Sequence, residues 1–303
     1  MPLPLNIETY VVTGPTSGIG LCAARALSKQ GRVVLVGRNH AKLEGVRTAI
    51  ERQGGQALNV ICDLADLESV RRAAAEIIAL DLPIAGLLNN AGIMPLREAK
   101  TPAGLDLTFV TNYLGPIALT EALIPHLPDG ANIAFVVSAI EDPERKPAKV
   151  MGMRGGRFIS VEASARGKWL PGGARMAGVD AYATSKQCAL AAAFALSREN
   201  QRLQINAVEP GINPTTGLGG ANAIAQFLFG QIITRLPPFS QYRSTPERAG
   251  NIMTAVLTDR SNKTGVYYDE KGVPMTGSAL AHDRQFQDRV LAETRAFLAE
   301  TAA

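Results

Sequence analysis

Tyr182 and Lys186 lie four residues apart in the stretch DAYATSKQ, and on a helix that spacing sets both side chains on one face. A free tyrosine, ionising near ~10, is a poor base at neutral pH. An ammonium about 4 Å away, in a medium of effective dielectric about 20, is worth about 4 kcal/mol, or roughly three pKa units. That would let the pair exchange a proton at physiological pH. An exposed tyrosine and lysine on a helix show the same spacing without chemistry, so the pair needs company. Ser138 ends a β-branched run, where its hydroxyl can hold a substrate oxygen. Asn112 lies in a long apolar helix, where a buried amide has to be hydrogen bonded. Taken singly, Ser138 reads equally as a strand-end serine and Asn112 as a packing amide.

A second cluster suits phosphate. The run Thr13-Gly14-Pro15-Thr16-Ser17-Gly18-Ile19-Gly20 follows a β-run and opens a helix. Its glycines let the backbone turn tightly and approach a pyrophosphate, and the helix N-terminus offers free N–H groups and a positive dipole end. The candidate contacts are Gly14, Thr16, Ser17, Gly18, Ile19 and Gly20, although such a turn can also be no more than a turn. The spacing is G-x-x-x-G-x-G and not the G-x-G-x-x-G dinucleotide fingerprint. The second β-run ends at Gly37-Arg38-Asn39, where the adenosine ribose is expected. An acidic residue there suits a 2′-hydroxyl, whereas Arg38 offers a bidentate fork to the 2′-phosphate of NADP(H). Asp63, closing the third run, fits the adenine amino group or a helix N-cap. Asn90 and Gly92, within Asn89-Asn90-Ala91-Gly92, line the cofactor ribose or form a plain turn.

The elements that must position these residues alternate along the chain. Strands are predicted near 9–14, 32–37, 57–63, 84–89, 131–138, 204–209 and 265–269. Helices are predicted at 18–30, 40–53, 67–79, 105–127, 180–200, 246–258 and 283–300. This βαβ rhythm predicts an α/β fold, a single doubly wound Rossmann-type domain with a parallel sheet over 1–303. Two segments break it. Residues 140–179 are too long for a simple strand-to-helix connection and read as an insertion, and 212–242 read as a substrate loop. The insertion starts just after Ser138 and ends just before Tyr182, so it is expected to form one wall of the pocket, with a disordered surface loop as the plain alternative.

Bulk properties exclude other classes. A net charge of +4 with scattered basic residues gives no nucleic-acid footprint. Three separated histidines, His40, His126 and His282, and three separated cysteines, Cys22, Cys62 and Cys188, supply neither a metal site nor a disulfide framework. No stretch reads as a signal peptide or transmembrane segment, so a cytoplasmic protein is expected.

With these residues assembled, the sequence resembles the short-chain dehydrogenase/reductase family over residues 8–275. TGPTSGIG is similar to its TGxxxGxG loop, NNAG at 89–92 to its structural motif, and Tyr182 with Lys186 to its YxxxK. The resemblance implies a tetrad of Asn112, Ser138, Tyr182 and Lys186. In it Tyr182 moves the proton on the substrate oxygen and Lys186 holds the nicotinamide ribose and tunes Tyr182. Ser138 orients the substrate, and Asn112 keeps a relay water. It also implies that Pro210, Gly211 and Ile212, with Thr215 beyond, contact the nicotinamide amide. Two features depart from the common pattern: Val137 stands where a first of two serines is usual, and Ser138 and Tyr182 are 44 residues apart. The wide spacing resembles retinol dehydrogenase-like, protochlorophyllide reductase-like and monomeric carbonyl reductase-like members.

The expectation is an NADP(H)-dependent oxidoreductase moving hydride between the nicotinamide and a carbonyl or alcohol carbon. The alternative is a non-catalytic NADP-binding regulator of the same fold, disfavoured because the tetrad is intact. Met94, Ile140, Trp169, Phe227 and Phe229 suggest a bulky apolar or aromatic substrate, or equally a packing role. An apolar run at 222–236 is a weaker candidate for touching a membrane. The Ala-rich run 189–195 could pack against a second copy, but an arm as long as the insertion would cover it. A monomer or homodimer is therefore expected before a tetramer.

Overall fold

Five apolar or β-branched residues fill the first strand, β1 (Thr9–Thr13), and all are buried, as a strand covered on both faces requires. The computed structural model describes residues 7–95, 97–174, 177–213 and 233–301. Within them β1 is joined by β2 (Arg32–Gly37), β3 (Gln56–Ile61), β4 (Ile84–Asn89), β5 (Asn132–Val136), β6 (Gln204–Val208) and β7 (Tyr267–Tyr268). The seven form one sheet in the order β3-β2-β1-β4-β5-β6-β7, with every pairing parallel. The chain leaves β3 at one edge and returns beside β1 as β4. The strand order therefore reverses between β1 and β4, which opens a crevice at the carboxyl edge.

Alternate residues of each strand feed two cores. Val11, Val34, Leu87, Ile133 and Ile205 face one layer, and Val12, Leu35, Leu88, Ala134 and Val208 face the other. The second layer is closed by α1 (Gly18–Leu27), α2 (His40–Glu51) and α8 (Pro246–Leu257). The first is closed by α3 (Leu67–Ala79), α4 (Leu107–His126), α7 (Ala177–Glu199) and α10 (Arg284–Glu300). Short helices α5 (Lys146–Val150), α6 (Val161–Ala165) and α9 (Ala279–His282) complete the described set. The α4 helix is long and apolar enough to cross a membrane, but 67% of that window is buried inside the protein.

The expected elements are all present, with shifted ends. The strands predicted at 57–63 and 131–138 stop at Ile61 and Val136, so Asp63 and Ser138 sit in the loops beyond the sheet. The helix predicted from 180 starts at Ala177. The long α4 helix is not uniform, because Val110–Leu114 form a wider π-helical turn.

Residues 140–174 are not a disordered loop. Phe158, Val161 and Ala165 enter the main core, and Phe158 meets Phe286 of α10 edge-on at 5.3 Å. The Arg157 amide donates to Thr184 Oγ1 at 2.7 Å, and the Val161 amide donates to Glu293 at 2.8 Å. Trp169, expected as a pocket wall, packs instead on Phe109 at 6.1 Å and against the core. Phe227 and Phe229 lie outside the described residues. The Ala189–Ala195 run of α7 is buried in the same core as Phe286, Val290 and Leu291 of α10, so it is this chain's own C-terminal helix that covers it.

Gly115 of α4 faces the Leu64 carbonyl so closely that a Cβ would lie 2.2 Å from the oxygen. We expect Gly115→Ala to push α4 off the loop after β3 and cost about 1–3 kcal/mol, read as a lower urea midpoint at unchanged slope.

Candidate active site

The turn from β1 into α1 needs residues without side chains. Gly14 and Gly18 take positive φ of 66° and 53°. A Cβ on Gly20 would lie 2.3 Å from the Gly14 carbonyl and 2.4 Å from Asn90 Nδ2, so helix and loop can close only on a glycine. Asn90 secures this turn to β4. Its Nδ2 donates to the carbonyls of Thr13 and Gly14 at 2.9 and 3.3 Å. Thr13 Oγ1 accepts from the Asn90 and Ala91 amides at 2.9 and 3.0 Å and lies 3.2 Å from the Leu88 carbonyl, to which it donates.

A cavity of about 580 Å³ opens over this turn, and Gly14, Thr16, Ser17, Gly18, Ile19 and Gly20 form its floor. Arg38, Asn39 and Asp63 line its far end, and Asn90 and Gly92 the near one. Every cofactor contact read from residues 14–92 therefore meets on one surface. Two of them also have local duties. Asn39 Oδ1 caps α2 by accepting the Lys42 amide at 2.9 Å, and Asp63 Oδ1 accepts the Ala65 amide at 3.0 Å, while Asp66 is the true N-cap of α3. Lys42, which sequence reading passed over, brings a second exposed cation beside Arg38. Its place one turn into the helix that follows Arg38 was the available signal.

The tetrad candidates gather just beyond Gly92. A Cβ on that residue would lie 3.4 Å from Asn112 Oδ1 and 3.5 Å from Lys186 Nζ. Asn112 sits in the π-helical turn, only 3% exposed, and its amide makes a two-way bond to Ile93: Oδ1 accepts from the backbone N–H and Nδ2 donates to the carbonyl, each at 2.8 Å. Tyr182 and Lys186 share one face of α7, and both are buried. Lys186 Nζ lies 5.6 Å from the centre of the Tyr182 ring and donates to the Val136 carbonyl at 2.7 Å. Ser138, half-buried in the turn after β5, stands close enough to the Tyr182 hydroxyl to favour its ionised form.

The electrostatics correct one expectation. The Tyr182 phenol is raised and not lowered. Burial lifts Tyr182 well above its ordinary value, and the Glu209 carboxylate lifts it further, against the pull of the Ser138 hydroxyl. Lys186 itself is lowered to about 8 by burial, a shift that Glu209 opposes. In the low-dielectric interior the cost of forming either ion outweighs their proximity. Glu209 is the residue that sequence reading missed. A lone carboxylate closing the strand run INAV, directly before Pro210, was its signal.

Pro210, Gly211 and Ile212 follow Glu209 along the same edge. Ile212 exchanges hydrogen bonds with the segment 242–244: its amide donates to the Tyr242 carbonyl at 2.8 Å, and its carbonyl accepts from the Ser244 amide at 3.0 Å. Thr215 lies outside the described residues.

A family model described as short chain dehydrogenase matches residues 8–147. Short-chain dehydrogenase TIC 32 A of Brassica napus is 27% identical over 93% of this chain and 86% of its own. Protochlorophyllide reductase B of Oryza sativa is 28% identical over 87% of this chain and 69% of its own. Among solved structures, a protein of Mycobacterium Paratuberculosis superposes with a TM-score of 0.69 at 25% identity, covering 97% of this chain and 96% of its own.

Lys186 gives a stability test whose sign is fixed. Its usual value of 10.5 falls to about 8 on folding, so between these two values the unfolded chain holds a proton that the folded chain has released. Stability therefore rises with pH across that interval. The neutral variant Lys186→Met lacks this gain, and its melting temperature should fall relative to wild type from about pH 8 to about 10.5. Parallel melting curves would contradict the buried ammonium.

Proposed function

We propose that the chain is an NADP(H)-dependent oxidoreductase of the short-chain dehydrogenase/reductase kind that interconverts a carbonyl and an alcohol, with Tyr182 as general acid/base, a reading supported by the family-model match over residues 8–147. The observation that carries this reading is that Asn112 and Lys186 meet beside Gly92, at the end of a cavity whose floor is a glycine turn, with Tyr182 next to Lys186 and Ser138 next to Tyr182.

The residues fit a dinucleotide. The closed approach at Gly20 leaves room for a pyrophosphate over the N-terminus of α1, and the turn offers it Gly14, Thr16, Ser17, Gly18 and Ile19. Arg38, and Lys42 beside it, support NADP(H) over NAD(H), since both are cations just beyond the end of β2, where an acidic residue would instead suit a ribose 2′-hydroxyl. Asp63 is the candidate for the adenine, and Asn90, Gly92 and Lys186 are the candidates for the riboses. Pro210, Gly211, Ile212 and Thr215 remain the candidates for the nicotinamide amide. When bound, the nicotinamide supplies or accepts hydride.

The chain itself handles the proton. Tyr182, held protonated by burial and Glu209, is an acid suited to a carbonyl oxygen that gains negative charge. Ser138, beside the phenol, can turn its one hydroxyl proton to the same oxygen as a second donor and so orient the substrate. Lys186 places a cation behind both, and Asn112 fixes the Ile93 backbone at the mouth. Met94 and Ile140, both half-buried, support an apolar or aromatic substrate. The covering of α7 by α10 supports a monomer or homodimer.

Tyr182→Phe should bind NADPH, read by its fluorescence, within about twofold of wild type and lose about 100- to 10,000-fold in turnover against ketones, aldehydes and enones. Turnover near wild type removes Tyr182 from the reaction. Arg38→Asp should lose charge-assisted bonds worth about 1.5–3 kcal/mol, weakening NADPH by roughly ten- to a hundredfold and turning the preference toward NADH. Equal use of both cofactors by the wild type would argue against the role of Arg38.

A further inference from the structure

Glu209 follows the last residue of β6 and is 6% exposed, yet it is no part of the family's tetrad motif. Its two oxygens are divided between two loops. Oε2 accepts the amide of Ala139, the residue after Ser138, and Oε1 accepts the amide of Gly211 at 3.1 Å. One carboxyl group thus joins the turn that carries Ser138 to the Pro210–Ile212 stretch, from the two sides of the site.

The charged neighbours come from every element around it. Tyr182 and Lys186 face it from α7, Tyr267 from β7, Glu270 from the turn after β7, and Arg145 from the start of α5. Arg145 is bonded to Glu270 at 3.2 Å and stacks 4.6 Å over the Tyr242 ring, so its charge is shared. Lys186, by contrast, donates to the Val136 carbonyl, and no ion pair between it and a carboxylate is found among the described residues.

We propose that Glu209 is a positioning residue of the active site, whose carboxylate clips the Ser138 turn to the Pro210–Ile212 stretch and sets a negative charge behind Tyr182 and Lys186. A negative charge there favours the protonated form of both partners. It keeps Lys186 cationic in an apolar interior and keeps Tyr182 a proton donor into alkaline pH. Glu209 itself is raised to about 7, burial outweighing the Ala139 hydrogen bond, so this charge develops across the neutral range. The effect on turnover rests on Tyr182 being the acid/base; the effect on Tyr182 ionisation does not.

Two variants separate reach from charge. Glu209→Gln keeps the volume but loses the charge and offers one oxygen where two amides need acceptors. Glu209→Asp keeps the charge and withdraws it by one methylene. In carbonyl reduction with NADPH, Glu209→Gln should shift the alkaline limb of the kcat/KM profile to lower pH by about one unit. Glu209→Asp should leave that limb near its wild-type position while lowering kcat several-fold, with the KM for NADPH little changed. Both variants losing kcat at an unmoved limb would overturn the charge, and an unchanged kcat in both would overturn the clip. The ultraviolet titration of the Tyr182 phenol, taken as the signal that Tyr182→Phe removes, needs no turnover. It should begin at lower pH in Glu209→Gln than in wild type, and coincident titrations would overturn the charge even if no carbonyl were reduced.

Discussion

The side-chain amide of Asn90 bridges the place where the sheet reverses its order. β1 and β4 are neighbours in the sheet but are separated in the chain by two whole βα units, and their carboxyl ends diverge into unrelated loops. Asn90 and Thr13 bind those loops together through backbone carbonyls and amides, so the glycine turn and the NNAG stretch hold one geometry. The cavity floor and the Gly92 corner where Asn112 and Lys186 approach both hang from that junction. Asn90, which reads as a cofactor contact, serves first as the fastener of the site. Its amide is spent on backbone partners that a buried junction cannot leave unpaired.

A second layer of order comes from the far end of the chain. The α10 helix packs on α7 through Phe286, Val290, Leu291 and Phe297, and Thr294 bonds to Tyr113 of α4 at 2.6 Å. Residues 140–174 are held between that helix and α4, by Phe158 and Val161 on one side and by Ala165, whose carbonyl accepts the Asp106 amide, on the other. Near Ser138, Glu141 is completely buried and takes two hydrogen bonds from Ser278. The insertion is therefore tied at its first turn to the residues after β7. The helix that carries Tyr182 and Lys186 is thereby gripped on the face away from the sheet, which suits groups that must hold a fixed distance to a reacting atom.

The site is also drier than its composition implies. Tyr182, Lys186, Glu209 and Tyr267 are buried together, and for each of them burial is the largest influence on ionisation. In such a place each charge is felt by the others more strongly than in water. A carboxylate in a loop thereby acquires influence over a phenol on a helix.

Much of this was legible in the chain. The alternation of β-branched runs with amphipathic helices fixes a parallel α/β sheet, because strands buried on both faces have to be apolar throughout. Glycines at 14, 18 and 20 announce a turn that no side chain fits. The four-residue spacing puts Tyr182 and Lys186 on one helical face whatever surrounds the helix, and Arg38 is placed by the end of the second strand. What only the tertiary structure decided depends on segments distant in sequence meeting in space. The π-helical turn at Asn112 reflects bonds to Ile93, 19 residues away. The order of residues 140–174 comes from α10, more than a hundred residues further on. The direction of the Tyr182 shift was misjudged from sequence because spacing reports proximity to an ammonium, whereas the cost of ionisation is set by how many distant side chains exclude water. The grip of Glu209 on Ala139, across 70 residues, belongs to the same class: a hydrogen bond between two loops leaves no period in the sequence, and it exists only once β5 and β6 lie side by side.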